Sequence, residues 1–283
     1  MESSSNQPPD SPQIIYYPVV RYGYDTKDGG KRQALKFRSI HDPIPETAKY
    51  VSPVYFLTES DHRRYEQFSD KPYANAGDGN IVKELQDDCE EAGRVLSPLH
   101  VETDKLDPAE NDSVSVELAV EWLTEFIEND LNVAIDICTF YHSGSRSIHV
   151  HVPQVMTEEQ RIQVGNFVQE FNTDRIERID KSNYSTKSQF RLPGVEHHKT
   201  GGRKIKLEPP YTPKNVAQTV AGNVTTDVET YADVIQDVFN CDISALLNSD
   251  LISRNHVIRR MKPRNSILPW KSISSTSLST VVV

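Results

Sequence analysis

Cysteine is scarce in this chain. There are three in 283 residues, and no two form a CxxC pair. Cys89, Cys138 and Cys241 therefore support neither a zinc ribbon nor a disulfide framework. Cys89 and Cys138 sit among apolar residues and read as buried thiols. Long apolar runs are also missing. None approaches the ~20 residues needed to cross a bilayer as a helix. No charged-then-apolar leader opens the chain, and 1–12 is polar and rich in Pro and Ser, as a disordered tail would be. These absences point to a cytoplasmic protein with no membrane partner. Excess positive charge is lacking as well. The net charge is −10, which excludes a surface coated in lysine and arginine for nucleic acid. No internal repeat is evident.

The basic residues that are present are clustered. Between Lys187 and Lys206 there are six, against one acidic residue, Glu196. Arg259, Arg260, Lys262 and Arg264 form a second group. Local positive patches on an acidic body suit a defined phosphate site. Hydrophobic residues at 36% and charged residues at 25% are enough for a globular core of one large domain, or one domain and an appendage.

Periodicity places the elements. The stretch 14–55 mixes short β-prone runs with Gly and Pro, and reads as irregular or strand-rich. Ile81, Leu85, Cys89 and Ala92 share a helix face that Gly93 would end. Val95 to Thr103 reads as a strand despite Pro98. Ser115 to Asn129 is an amphipathic helix. Asn132 to Tyr141 and Ser147 to Val152 read as two strands joined through the tight turn Ser143-Gly144-Ser145. Thr157 and Gln160 have capping-box spacing at the head of a helix running to Asn172. Short strands are expected at Phe190–Pro193 and Lys204–Leu207. Thr226 and Glu229 would cap a last helix, and the Ser/Thr-rich 272–283 would not pack. The order suits an α+β domain with a mixed sheet and helices on one face. Three regions follow: a tail and irregular segment over 1–50, a core over 51–210, and a small, mostly helical C-terminal region over 211–283.

Four clusters carry chemistry. Glu102 and Asp104 are two apart, so an extended backbone turns both to one face, where their oxygens can reach one metal pair. Hard divalent cations favour such oxygens together with water and phosphate. Next comes Ser143-Gly144-Ser145-Arg146-Ser147-Ile148-His149-Val150-His151. Its turn can offer backbone N–H groups to an anion, Arg146 adds charge, and His149 adds a donor. Asp180 follows as a third carboxylate. Last, Arg191, His197 and Lys199 surround a Pro-Gly turn with the composition of a phosphate clamp.

Taken in order, the four clusters resemble the motifs of the archaeo-eukaryotic primase superfamily. The matching segments are Leu99-His100-Val101-Glu102-Thr103-Asp104, then Ser143-Gly144-Ser145-Arg146-Ser147-Ile148-His149, then Ile179-Asp180, then Arg191-Leu192-Pro193-Gly194-Val195-Glu196-His197-His198-Lys199-Thr200-Gly201. The resemblance spans about 95–207. It implies a primase-type catalytic core with an RRM-like half. It implies that Glu102, Asp104 and Asp180 hold two Mg²⁺ or Mn²⁺ ions. Ser143, Arg146, Ser147, His149, Arg191, His197 and Lys199 would bind the nucleotide. The activity implied is transfer from nucleoside triphosphates (NTPs or dNTPs) onto a 3′-hydroxyl on a single-stranded DNA template, with a helicase or second primase subunit as further partners. Two departures stand out: Glu102 where Asp is usual, and no cysteine zinc site.

Two other readings fit parts of the pattern. His149-Val150-His151 is also the His-hydrophobic-His motif of rolling-circle nucleases, which would use a tyrosine such as Tyr184 as nucleophile. A non-catalytic nucleic-acid-binding relative is the other.

Overall fold

A computed structural model gives the architecture of residues 15–26, 30–34, 36–69, 76–106, 114–172, 177–184, 189–197, 200–208 and 229–238. The strands are β1 (Tyr16–Val20), β2 (Tyr22–Asp25), β3 (Lys31–Gln33), β4 (Arg38–Ser39), β5 (Tyr50–Val51), β6 (Val54–Thr58), β7 (Val95–Thr103), β8 (Thr139–His142), β9 (Ile148–Thr157), β10 (Phe190–Arg191) and β11 (Ile205–Lys206). The longer helices are α1 (Glu59–Ser69), α2 (Ala76–Glu91), α3 (Val116–Glu125) and α4 (Glu158–Phe171).

The strands form two sheets. One runs β11-β8-β9-β7-β6-β1-β4, and the other β10-β5-β2-β3. Alternation along the central strands sorts residues between two layers. Leu99 and Val101 of β7 and Ile148, Val150 and Val152 of β9 pack with Ala119 and Leu123 of α3 and Val164 and Val168 of α4. Tyr55 and Leu57 of β6 face Ile81, Val82, Leu85 and Cys89 of α2. The opposite face carries Val54, Phe56, Leu96 and Tyr141, packed with Tyr22, Val51 and Phe190 of the small sheet. The large sheet is thus sandwiched between helices and a second sheet.

The α+β class agrees with the sequence, but the mixed sheet does not. Every strand pairing among the described residues is antiparallel. The reason is local. Helix α3 joins β7 to β8, two strands that run the same way, but β9 inserts between them and pairs with both. This is a split β-α-β arrangement. An RRM-like half would place a strand after α4 on the outer edge of β7. That edge instead receives a helical turn, Lys181–Tyr184, tied by Asp180 N–H donating to Glu102 O at 2.8 Å.

Several boundaries follow the sequence signals. Gly93 ends α2 at φ 67°. Ser115 caps α3, accepting from Leu118 N. Thr157 and Gln160 form the expected capping box on α4. Others move. The strand expected over Asn132–Tyr141 shrinks to β8, because Asn132 turns left-handed at φ 54° and Ile135–Ile137 makes a helical turn. The return strand is longer than its alternation suggests and reaches Thr157. Near the C-terminus the cap is Thr230 with Asp233, ahead of Tyr231–Asp233, rather than Glu229. Thr226, Cys241, the basic group at 259–264 and the tail at 272–283 lie outside the described residues. Cys89 and Cys138 are buried free thiols, each pushed up to about 12 by burial.

Candidate functional site

Ladder pairing sets the site. Glu102 on β7 lies opposite His149 on β9, and His100 lies opposite His151. All four point away from the helices, toward the small sheet. His149 Nε2 reaches Glu102 Oε2 at 3.1 Å. Asp180 is brought alongside by its own backbone bond to Glu102. The two carboxyls come within hydrogen-bonding reach of each other. Burial first, and then Asp180, raises the Glu102 carboxyl well above the usual carboxylate range, while the neighbouring Asn183 amide pulls the other way. Asp180 also accepts from Ser182 N at 2.8 Å and Ser182 Oγ at 2.9 Å.

A buried basic layer backs this pair. Lys204 is 1% exposed. Its Nζ lies 2.9 Å from His151 Nε2, donates to Arg191 O at 3.3 Å, and sits 4.3 Å above the Phe190 ring. Burial pulls the Lys204 ammonium well below its ordinary range, and the Glu102 charge resists that. Burial, and then Lys204, keeps the His149 imidazole neutral. His149 Nδ1 is buried without a hydrogen-bond partner. His100 is held near 4 by burial, and is neutral too. Lys204, His100 and Asn183 were not picked out from the sequence as site residues, and His151 was picked out only as a metal ligand of the nuclease reading. The alternation His100/Glu102 facing His149/His151 was a visible signal, but only once the two strands were known to pair.

Asp104 leaves the carboxylate pair. It sits just past β7 and pairs with Arg146 at 3.1 Å, both partly exposed. Among the described residues no three His, Cys, Asp or Glu side chains converge to hold a metal. The Glu102–Asp180 pair still fits one hard divalent cation. Two half-buried carboxyls set side by side repel one another, and hard divalent cations often take one or two carboxylates and fill the remaining positions with phosphate and water.

The turn ahead of β9 is built from its own side chains. The Ser143 hydroxyl accepts from Ser145 N at 3.2 Å and Ser147 N at 3.1 Å. Gly144 takes φ 79°. The loop after β10 docks directly on this turn: a Cβ on Gly144 would meet Gly202 C at 2.4 Å. Thr200 Oγ1 donates to Gly144 O at 2.7 Å, and His197 Nδ1 lies 3.2 Å from that same hydroxyl. Arg191 stitches the two loops, donating to Ser143 O and to Val195 O at 2.9 Å each. Its guanidinium is thus committed to backbone carbonyls. Lys199 lies outside the described residues. The structure therefore gathers Glu102, Asp180 and His149 at one point. Beside them stand Asp104 with Arg146 and the paired loops of Ser143, Ser147, Arg191 and His197.

The nuclease arrangement finds little support in these contacts. His149 and His151 share a face but turn their Nε2 atoms to different partners, Glu102 and Lys204. The Tyr184 hydroxyl is buried and donates to His100 O at 3.1 Å, and burial pushes it well above 10.

No family model matches the chain. No curated protein matches it either. Among solved structures, the polymerase domain from Mycobacterium tuberculosis Ligase D, in complex with DNA, resembles it at 11% identity and a TM-score of 0.34, over 83% of this chain and 86% of that one. A likeness at that level assigns no role to any residue. No helix among the described residues is long and apolar enough to cross a membrane.

Proposed function

We propose that this chain is a DNA-directed nucleotidyltransferase of the primase-polymerase type. The observation that carries the reading is the half-buried Glu102–Asp180 carboxyl pair against neutral His149, beside a glycine turn and an arginine. In this reading Glu102 and Asp180 hold a Mg²⁺ or Mn²⁺ ion, and Asp104 joins them once Arg146 is drawn to a phosphate. The bound cation would supply charge stabilisation for the phosphoryl group in transfer.

The chain's own residues supply position and electrostatics. His149 offers a neutral N–H donor to a phosphate oxygen, with Nε2 or Nδ1 as donor according to tautomer. Arg146 exchanges a carboxylate for a phosphate, a swap that keeps its charge paired throughout. The Ser143–Ser147 turn, locked by Arg191 and Thr200, sets the height at which a triphosphate rests. A primer 3′-oxygen forms a bond to the α-phosphorus, the bond to pyrophosphate breaks, and the hydroxyl proton passes to water.

The test is incorporation of labelled nucleoside triphosphates on single-stranded DNA with Mg²⁺ or Mn²⁺, with and without primer. Asp180→Asn and His149→Ala are run beside the wild type. Metal-dependent product is expected, lowered on the order of 100-fold or more in each variant. No product with either metal, while DNA binding persists, overturns the reading. A covalent adduct through a tyrosine would favour the nuclease.

A further inference from the structure

The large sheet has a gap. β6 and β7 pair only through Val54 with Leu96 and Tyr55 with Val95. Beyond Leu96 they part, where Pro98 lacks an N–H and the β7–β9 register shifts between Pro98 and Leu99. A cavity of about 20 Å³ lies there, lined by Ser52, Ser97, His100, Arg161, Tyr184 and Tyr231 among others. That volume holds one water-sized species.

Arg161 is the unusual member of this lining. It belongs to α4, three residues before Val164 and seven before Val168, so it occupies a place on the core-facing stripe where an apolar residue is expected. It is 1% exposed, and its Nε, Nη1 and Nη2 are all buried without a hydrogen-bond partner. Guanidinium keeps its charge even when buried, and presents five donors. The carboxylates of Glu158 and Glu90 act on it from a distance, but burial outweighs them, and a buried cation whose donors are all unmet is costly in a protein interior. A lone water supplies two acceptor pairs and no charge. His100, the other basic group of the lining, is neutral, so one positive charge faces the cavity.

We propose that this cavity is an internal anion site. It takes one monovalent, halide-sized ion, chloride in ordinary salt, seated against Arg161. The single cation sets the valence and the cavity sets the radius. Ser52 and Ser97 add polar lining. The site is independent of the nucleotidyl-transfer reading.

Two measurements test it. The first is thermal unfolding of the full chain in sodium chloride against sodium gluconate at equal ionic strength, gluconate being too large to enter. Wild type should melt about 2–4 °C higher in chloride, with the gain saturating as chloride rises. Arg161→Met, similar in length and uncharged, should show no such gain. Equal melting in both salts, or the same gain in both proteins, overturns the proposal. The second is anomalous scattering from crystals of the wild type grown in bromide, which stands even if Arg161→Met does not fold. A bromide peak at the guanidinium supports the site, and a cavity holding only water refutes it.

Discussion

Asp61 shows how one side chain joins a helix start to the sheet. Its carboxylate accepts from Thr58 N at 3.1 Å, and Thr58 Oγ1 accepts from Asp61 N at 3.2 Å, a reciprocal cap on α1. Arg94, arriving from the end of α2, donates to Asp61 at 2.8 Å and to Phe56 O at 2.7 Å. Burial alone would raise this carboxyl, but the bonds from Thr58 and Arg94 outweigh it and hold it below its usual value. A depressed carboxyl stabilises the fold above its unfolded value near 3.8, and that contribution is lost as pH falls through the lower, folded value. Asp61→Asn should therefore cost roughly 1–3 kcal/mol at neutral pH. The difference from wild type should shrink toward zero in acid. Urea unfolding of both proteins at pH 7 and in the acid range checks both parts.

At the scale of elements, the contact between the Gly144 turn and the Gly202 loop joins the motif after β8 to the motif after β10. Gly144→Ala faces two obstacles: a positive φ, and a Cβ placed 2.4 Å from the Gly202 carbonyl carbon. It should destabilise by about 1–3 kcal/mol. It should also loosen the loop, which amide exchange of Gly201 and Arg203 would report against the wild type. A null effect on both would show that the loops are not docked. Helix α4 was legible in the sequence, because Thr157, Gln160 and the Val164/Val168 stripe act within one turn of themselves. The acidic pair was legible as two carboxylates on one face, but not as partners. Asp104 goes to Arg146, and Asp180 comes to Glu102, through pairings that span 42 and 78 positions and follow no local period. Lys204 and Arg161 escaped notice for a similar reason. A buried cation in a sequence looks like a surface one until its neighbours are in place.

For the molecule as a whole, β7 and β9 share the longest ladder, from Leu96 opposite Thr157 to Thr103 opposite Ile148. Both are buried beneath α3 and α4 on one side and the small sheet on the other. Amide hydrogens of Val101 and Val150 should therefore exchange only through global unfolding, whereas Arg32 and Ser39, on the short edge strands β3 and β4, should exchange far faster. Hydrogen exchange read by mass spectrometry would show this gradient, and uniform protection would contradict it. The same centre carries Glu102 and His149, so the candidate site rests on the most rigid part of the fold.

The small sheet closes late in the chain. β5 pairs with β10 through Val51 and Phe190, and with β2 through Tyr22 and Val51. On a ribosome adding ~5–20 residues per second, the outer edge of β5 waits roughly seven to thirty seconds for its partner to be made. Through that interval an apolar strand lies open to any neighbouring nascent chain. The order in which this protein is synthesised is therefore a hazard built into its topology, one that a trigger-type chaperone or a slowed codon run before residue 190 would change.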